Sequence, residues 1–131
     1  MKLLNIIKEE DQKKISSEKA FALKKAEIYF KLFKKGTRYC KDLDTQIHYE
    51  IVETPSFKAM RSDDDVNYVP VIYLSQKFEE PIKIMVETND GKPPYELKRE
   101  RIGFNTETIW AIAARDVRDL FFKQGIMLIY H

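Results

Sequence analysis

The sequence predicts an α+β fold, a mainly antiparallel sheet of four or five strands packed with two helices in the order α-β-β-β-β-α-β. Three observations predict it. Helical periodicity runs over residues 17–35 and again over 106–122; between them, segments such as QIHYEIVET alternate apolar and polar residues; and the chain closes on the unbroken apolar run IMLIY. A length of 131 residues suits a single domain, 1–131, in which 1–16 is a separable N-terminal segment that can be mobile. With 44% hydrophobic residues and only 4 Gly and 5 Pro, the chain is neither collagen-like nor low-complexity and is expected to fold.

The first helix is predicted from SSEKAFALKKAEIYFKLFKKG, with Ser16 or Ser17 as N-cap and Gly36 as the left-handed residue past its end. At about 100° per residue, Ala22, Leu23, Ala26, Tyr29, Phe30 and Phe33 form one stripe, and Phe21, Ile28 and Leu32 widen it on one flank. The apolar arc spans roughly 220°, wider than a single core contact needs. Opposite it stand Lys24, Lys31, Lys34 and Lys35 with Glu27, followed by Arg38 and Lys41.

Strands are predicted at 46–53, 66–74, 82–88 and about 94–102, with TPSFKAMRSDDD as an acidic surface loop after the first. Pro70 pushes its strand towards a sheet edge or bulge, and the strands at 66–74 and 82–88 are expected to be adjacent and antiparallel. A turn at Asp90-Gly91 feeds the fourth. The second helix is expected to be capped by Asn105 or Thr106 and closed by Gly125, and Asp116 falls on its apolar face, where Arg99, Arg101 or Arg115 would pair with it. IMLIY suits the middle of a sheet.

Charge is unevenly spread. Residues 1–41 hold 12 Lys and Arg against 5 Asp and Glu, whereas residues 42–131 hold 11 against 16, a basic arm on an acidic body. The opening MKLLNIIKEEDQKK has too few apolar residues for a signal-peptide core or membrane span, so the expected location is cytoplasmic. Cys40 is the only cysteine, which excludes an internal disulfide; a metal cage would need Cys40, His48, His131 and a carboxylate together, so no metal or cofactor is expected.

Nothing in the sequence amounts to a catalytic signature. Glu96 and Lys98 make a Glu-x-Lys that resembles part of the metal-binding set of the restriction-nuclease-like superfamily and would need an acid from a neighbouring strand to complete it; two charges at i and i+2 also mark a strand's solvent face, and the acids available are Asp90, too close and in a turn, or Asp63, Asp64 and Asp65 in the loop. His48 and Glu50 share a strand face and could exchange a proton. The three consecutive Asp lack calcium-loop spacing. Tyr49, Tyr68, Tyr73 and Tyr95 on strands, beside lysines, are the residue types that single-stranded nucleic acid needs, although core packing explains them equally well.

Two functions follow. In the first, the protein is a non-enzymatic interaction or assembly subunit whose wide helix arc docks on another protein or a like copy through Phe21, Ile28, Tyr29 and Leu32. In the second, Lys24, Lys31, Lys34, Lys35, Arg38 and Lys41 hold the phosphates of a nucleic acid. The acidic remainder of the chain repels a polyanion, which favours the first. A small metal-dependent nuclease is a distant third.

Overall fold

The computed structural model describes residues 2–61, 67–75, 80–88, 90–99 and 108–130, with side chains from Ser17 onward. The elements are α1 (Lys2–Phe33), β1 (Lys35–Cys40), β2 (Thr45–Ile51), β3 (Ser56–Met60), β4 (Val69–Tyr73), β5 (Ile82–Val86), β6 (Tyr95–Glu96), α2 (Ile109–Lys123) and β7 (Met127–Ile129). The α+β class with two helices holds, but the strands divide into two sheets. One is antiparallel with order β1-β2-β5-β6; the other has order β3-β4-β7, with β4 parallel to β7.

α1 passes straight through Ser16 and Ser17, so neither caps it, and it ends at Phe33 rather than Lys35. Lys34 turns the chain into β1, its carbonyl accepting the Ile51 N–H at 2.7 Å. Gly36 is not left-handed: it lies in β1 over the Tyr49 ring, where an added Cβ would sit 3.4 Å from the ring. Among the described residues β1 and β3 are edge strands: β1 shows no apolar alternation and is held mainly by backbone pairing to β2, whereas SFKAM, expected as part of a surface loop, alternates and sets Phe57 half-buried against the core.

β4 and β5 are not neighbours, contrary to expectation. β4 sits between β3 and β7, and β5 between β2 and β6. Pro70 is tolerated on a central strand because β7 pairs only with Val71–Tyr73, leaving Pro70 one neighbour, β3. IMLIY is also displaced from its predicted place, for among the described residues β7 has β4 as its one neighbour.

α2 starts later than predicted. Thr108 is its N-cap, its hydroxyl accepting from the Ala111 N–H at 3.1 Å, while residues 105–107 lie outside the described set. Its end follows the sequence reading: Gly125 has φ +78°, and the Gly125→Phe122 and Ile126→Phe121 N–H···O bonds form a Schellman closure. Gly125→Ala forces a Cβ into the left-handed region, and urea titration should show a loss of about 1–2 kcal/mol. A value near zero would mean that the turn relaxes out of that conformation.

One core joins these parts. Ile47, Tyr49 and Ile51 of β2 and Ile82, Ile84 and Val86 of β5 face Trp110, Ala113, Val117 and Phe121 of α2, with Ile72, Leu74 and Leu128 from the second sheet and Ala26 from α1. Their sequence spacings, two on strands and three or four on helices, put each set on one face.

A candidate interaction surface on helix 1

Helical spacing divides α1 into two apolar stripes. Ala22 and Ala26 are buried, and Tyr29, Phe30 and Phe33 pack partly buried against the core, Tyr29 stacked on Phe33 at 5.9 Å and Phe30 edge-on to Phe57 of β3. About 120° round the helix lie Phe21, Ile28 and Leu32, which remain 71%, 46% and 64% exposed. Tyr29 thus belongs with the core stripe, not with the other three. The exposed stripe runs about 16 Å along the helix. Lys24 and Lys31 border it on one side and Lys25 on the other, by the same period.

The stripe opens into a cavity of about 390 Å³ between α1 and the start of β4, whose apolar walls are Phe21, Ala22, Tyr68 and Pro70, with Lys25 and Glu18 at the rim. Sequence reasoning missed this cavity because Tyr68 and Pro70 come from a segment nearly fifty positions away, and only the α1–β4 packing joins them.

The basic residues do not act as one patch. Lys24, Lys34, Lys35 and Lys41 are exposed; Lys31 is paired with Glu27 at 3.4 Å; Lys35 belongs to β1 and Lys41 follows it. Arg38 is taken up inside the fold, its Nε 2.9 Å from Asp116 Oδ2. Asp116 therefore has an arginine partner, but from β1 instead of Arg99 or Arg115; Arg101 lies outside the described residues.

The strand tyrosines form no common platform. Tyr49 is buried, with its hydroxyl donating to the Phe33 carbonyl at 2.7 Å, and burial raises its pKa; Tyr73 and Tyr68 lie under Lys58 and Arg61; and Tyr95 is exposed on the other sheet.

His48 meets Glu87 rather than Glu50. Thr37 faces it directly across β1 and β2, and Glu87 lies just past the end of β5, so the ring nitrogens sit 2.8 Å from Thr37 Oγ1 and 2.5 Å from Glu87 Oε1. This hydroxyl–imidazole–carboxylate chain is half-exposed on the open face of the first sheet. Glu96 and Lys98 do come together, 3.2 Å apart, and the further acid is Glu80, 4.0 Å from Lys98 Nζ, with Glu80 Oε1 accepting the Arg99 N–H. Lys98 thus sits between two carboxylates. Among the described residues no three His, Cys, Asp or Glu are grouped to hold a metal; Cys40 is buried, and Asp63, Asp64, Asp65 and His131 lie outside that set.

No family model, curated protein or solved structure matches the chain. Among the described residues no helix is long and apolar enough to cross a membrane.

Proposed function

We propose that the protein is a non-enzymatic interaction subunit that docks a partner protein on the exposed stripe of α1. The observation that carries this reading is the line of three large apolar side chains left in water on a helix whose other stripe is already buried. Burying what remains exposed of each would contribute about 1–2 kcal/mol, enough to make Phe21, Ile28 and Leu32 the dominant contacts. Tyr68 and Pro70 offer a recess at one end for an apolar anchor. The flanking Lys24, Lys25 and Lys31 favour a partner helix with carboxylates beside its apolar face, and they oppose close side-by-side pairing with the same stretch of a second copy.

The test compares the full chain with Ile28→Asp/Leu32→Asp. Both positions are exposed, so the variant should stay folded by circular dichroism. Affinity for a synthetic amphipathic helix with leucines on one face and flanking glutamates should fall by about 100-fold or more. Light scattering on a size-exclusion column, at low and high salt with the 260/280 nm ratio recorded, covers the other occupants. A salt-resistant dimer lost in this variant would identify a like copy as the partner.

The second reading, nucleic-acid binding, has Lys24, Lys34, Lys35 and Lys41 exposed in its favour. It predicts an oligonucleotide affinity that collapses with salt, is abolished by Lys31→Glu/Lys34→Glu/Lys35→Glu and is indifferent to Ile28→Asp/Leu32→Asp. That result, with no binding of the amphipathic helix, would overturn the interaction reading.

A further inference from the structure

The cavity at the Phe21 end of α1 has a more particular chemistry than the stripe that opens into it. It exists because two of its lining residues are compact: Ala22 is 3% exposed and Pro70 is buried, and neither fills the space above it. Two aromatic rings, Phe21 and Tyr68, form its walls, and the Arg61 guanidinium packs 5.3 Å from the centre of the Tyr68 ring. A cavity of about 150 Å³ accepts a benzene ring. The volume of about 390 Å³ here therefore admits a bicyclic side chain, and a leucine would leave much of it unfilled.

Helical spacing puts Glu18 one turn before Phe21 and Lys25 one turn after it, on the same side of α1. The two charges are not equivalent. The Lys25 ammonium is taken up by the fold: it lies 5.8 Å from the Tyr29 ring centre and would stand 3.4 Å from a Cβ on Gly125, so it sits beside the C-terminal end of α2, where a cation is favoured. Glu18 is half-buried, yet among the described residues its carboxylate has no hydrogen bond or ion pair. A carboxylate only accepts, so what Glu18 lacks is a donor. Asn67, also in the lining, is already engaged.

An indole meets these requirements, since it joins two fused apolar rings to one N–H that donates and accepts nothing. We propose that the partner helix docking on α1 anchors itself in this cavity with a tryptophan, its rings between Phe21 and Tyr68 and its N–H donating to the Glu18 carboxylate. Phenylalanine has no donor for Glu18, and a lysine or arginine would bring a like charge towards Lys25. Phe21, Ile28 and Leu32 are spaced by seven and four residues. A helix lying along them repeats those spacings, tryptophan first and two aliphatic residues after it, with glutamates towards Lys24 and Lys31. This inference rests on the α1 reading and adds to it the identity of the anchor.

The test titrates the full chain into three fluorescein-labelled helices that share leucines at the two later positions and flanking glutamates. They differ at the anchor, which is leucine, tryptophan or 3-benzothienylalanine, whose sulfur replaces the ring N–H. By anisotropy the tryptophan helix should bind about tenfold or more tighter than the leucine helix, and the benzothienyl helix should lose most of that gain. In Glu18→Ala, a change that a helix accepts, the tryptophan and benzothienyl helices should bind alike. Tyr68→Ala should weaken the tryptophan helix and leave the leucine helix within about threefold. NMR should show contacts from the indole protons to the Phe21 and Tyr68 rings. If no helix binds, the α1 reading falls and this proposal with it. If the leucine helix binds but tryptophan gains nothing, or Glu18→Ala leaves the gap between tryptophan and its sulfur analogue intact, the α1 reading stands and the tryptophan anchor is overturned. It is overturned equally if N-acetyltryptophanamide alone binds as tightly as the tryptophan helix, because a free indole would then be the occupant.

Discussion

Trp110→Ala is expected to cost about 3–5 kcal/mol in urea unfolding, most of the margin of a small domain. Trp110 is 1% exposed and sits in the first turn of α2 against the first sheet. Three contacts would go at once. Its Nε1 donates to the Ile82 carbonyl at 2.9 Å, Tyr130 meets the ring edge-on at 5.9 Å, and the Arg99 guanidinium lies 5.1 Å from the ring centre. Alanine leaves a void on the side of α2 that packs on the core, and a close-packed interior collapses into such a void only in part. Trp110→Phe separates apolar volume from the hydrogen bond: it keeps most of the packing but takes the indole donor from Ile82, for about 1–3 kcal/mol. Phe122→Ala on the same helix faces water and should stay within about 0.5 kcal/mol. Equal losses for Trp110→Ala and Phe122→Ala would mean that the core is not organised around this ring.

What could be read from the sequence was whatever local periodicity encodes. α2 shows why: its apolar face and the glycine past its end are short-range signals, and the Schellman bonds at Gly125 realise the second of them. β2 and β5 announce themselves by alternation because each has one face in the core. β1 does not, since KGTRYC buries only Cys40 and owes its existence to backbone pairing with β2. The division into two sheets was invisible for the same reason: VNYVPVIYL and PIKIMVET each look like strands, and nothing local says that they avoid each other.

The candidate surface divides along the same line. Phe21, Ile28 and Leu32 were legible because their offset from Ala22 and Ala26 is helix geometry. Tyr29 was read in the stripe of Ala22 and Ala26, where it packs against the core, and also as a docking residue beside Phe21, Ile28 and Leu32, a role that its partial burial against the core does not favour. The partners of the notable charges were missed: Glu87 for His48, Glu80 for Lys98 and Arg38 for Asp116 are pairings across strands or between distant elements. The residue types signal that a partner is needed; the fold decides which one.

The Arg38–Asp116 pair gives the second large expected effect. It links β1 to α2 across 78 positions at 2.9 Å, with the two side chains 22% and 23% exposed. Arg38→Ala or Asp116→Ala leaves the other charge half-buried without this partner, and each should lose about 1–3 kcal/mol. Removing both should cost less than the two single losses together, since neither charge is then stranded. Arg38→Met/Asp116→Leu should come close to the native value, because apolar groups of similar volume replace a desolvated pair at little net cost. The contribution of the pair is then positional. β1 has Cys40 as its one buried side chain, so a polar edge strand is tied to the core chiefly through backbone bonds to β2 and through Arg38. Amide exchange separates this role from general stabilisation. In Asp116→Ala, protection should fall first at residues 35–40, while β5 keeps the slow exchange of the global unfolding limit. Equal loss of protection in β1 and β5, or single losses that simply add in the double variant, would show that Asp116 supports the core at large and does not hold β1 in register.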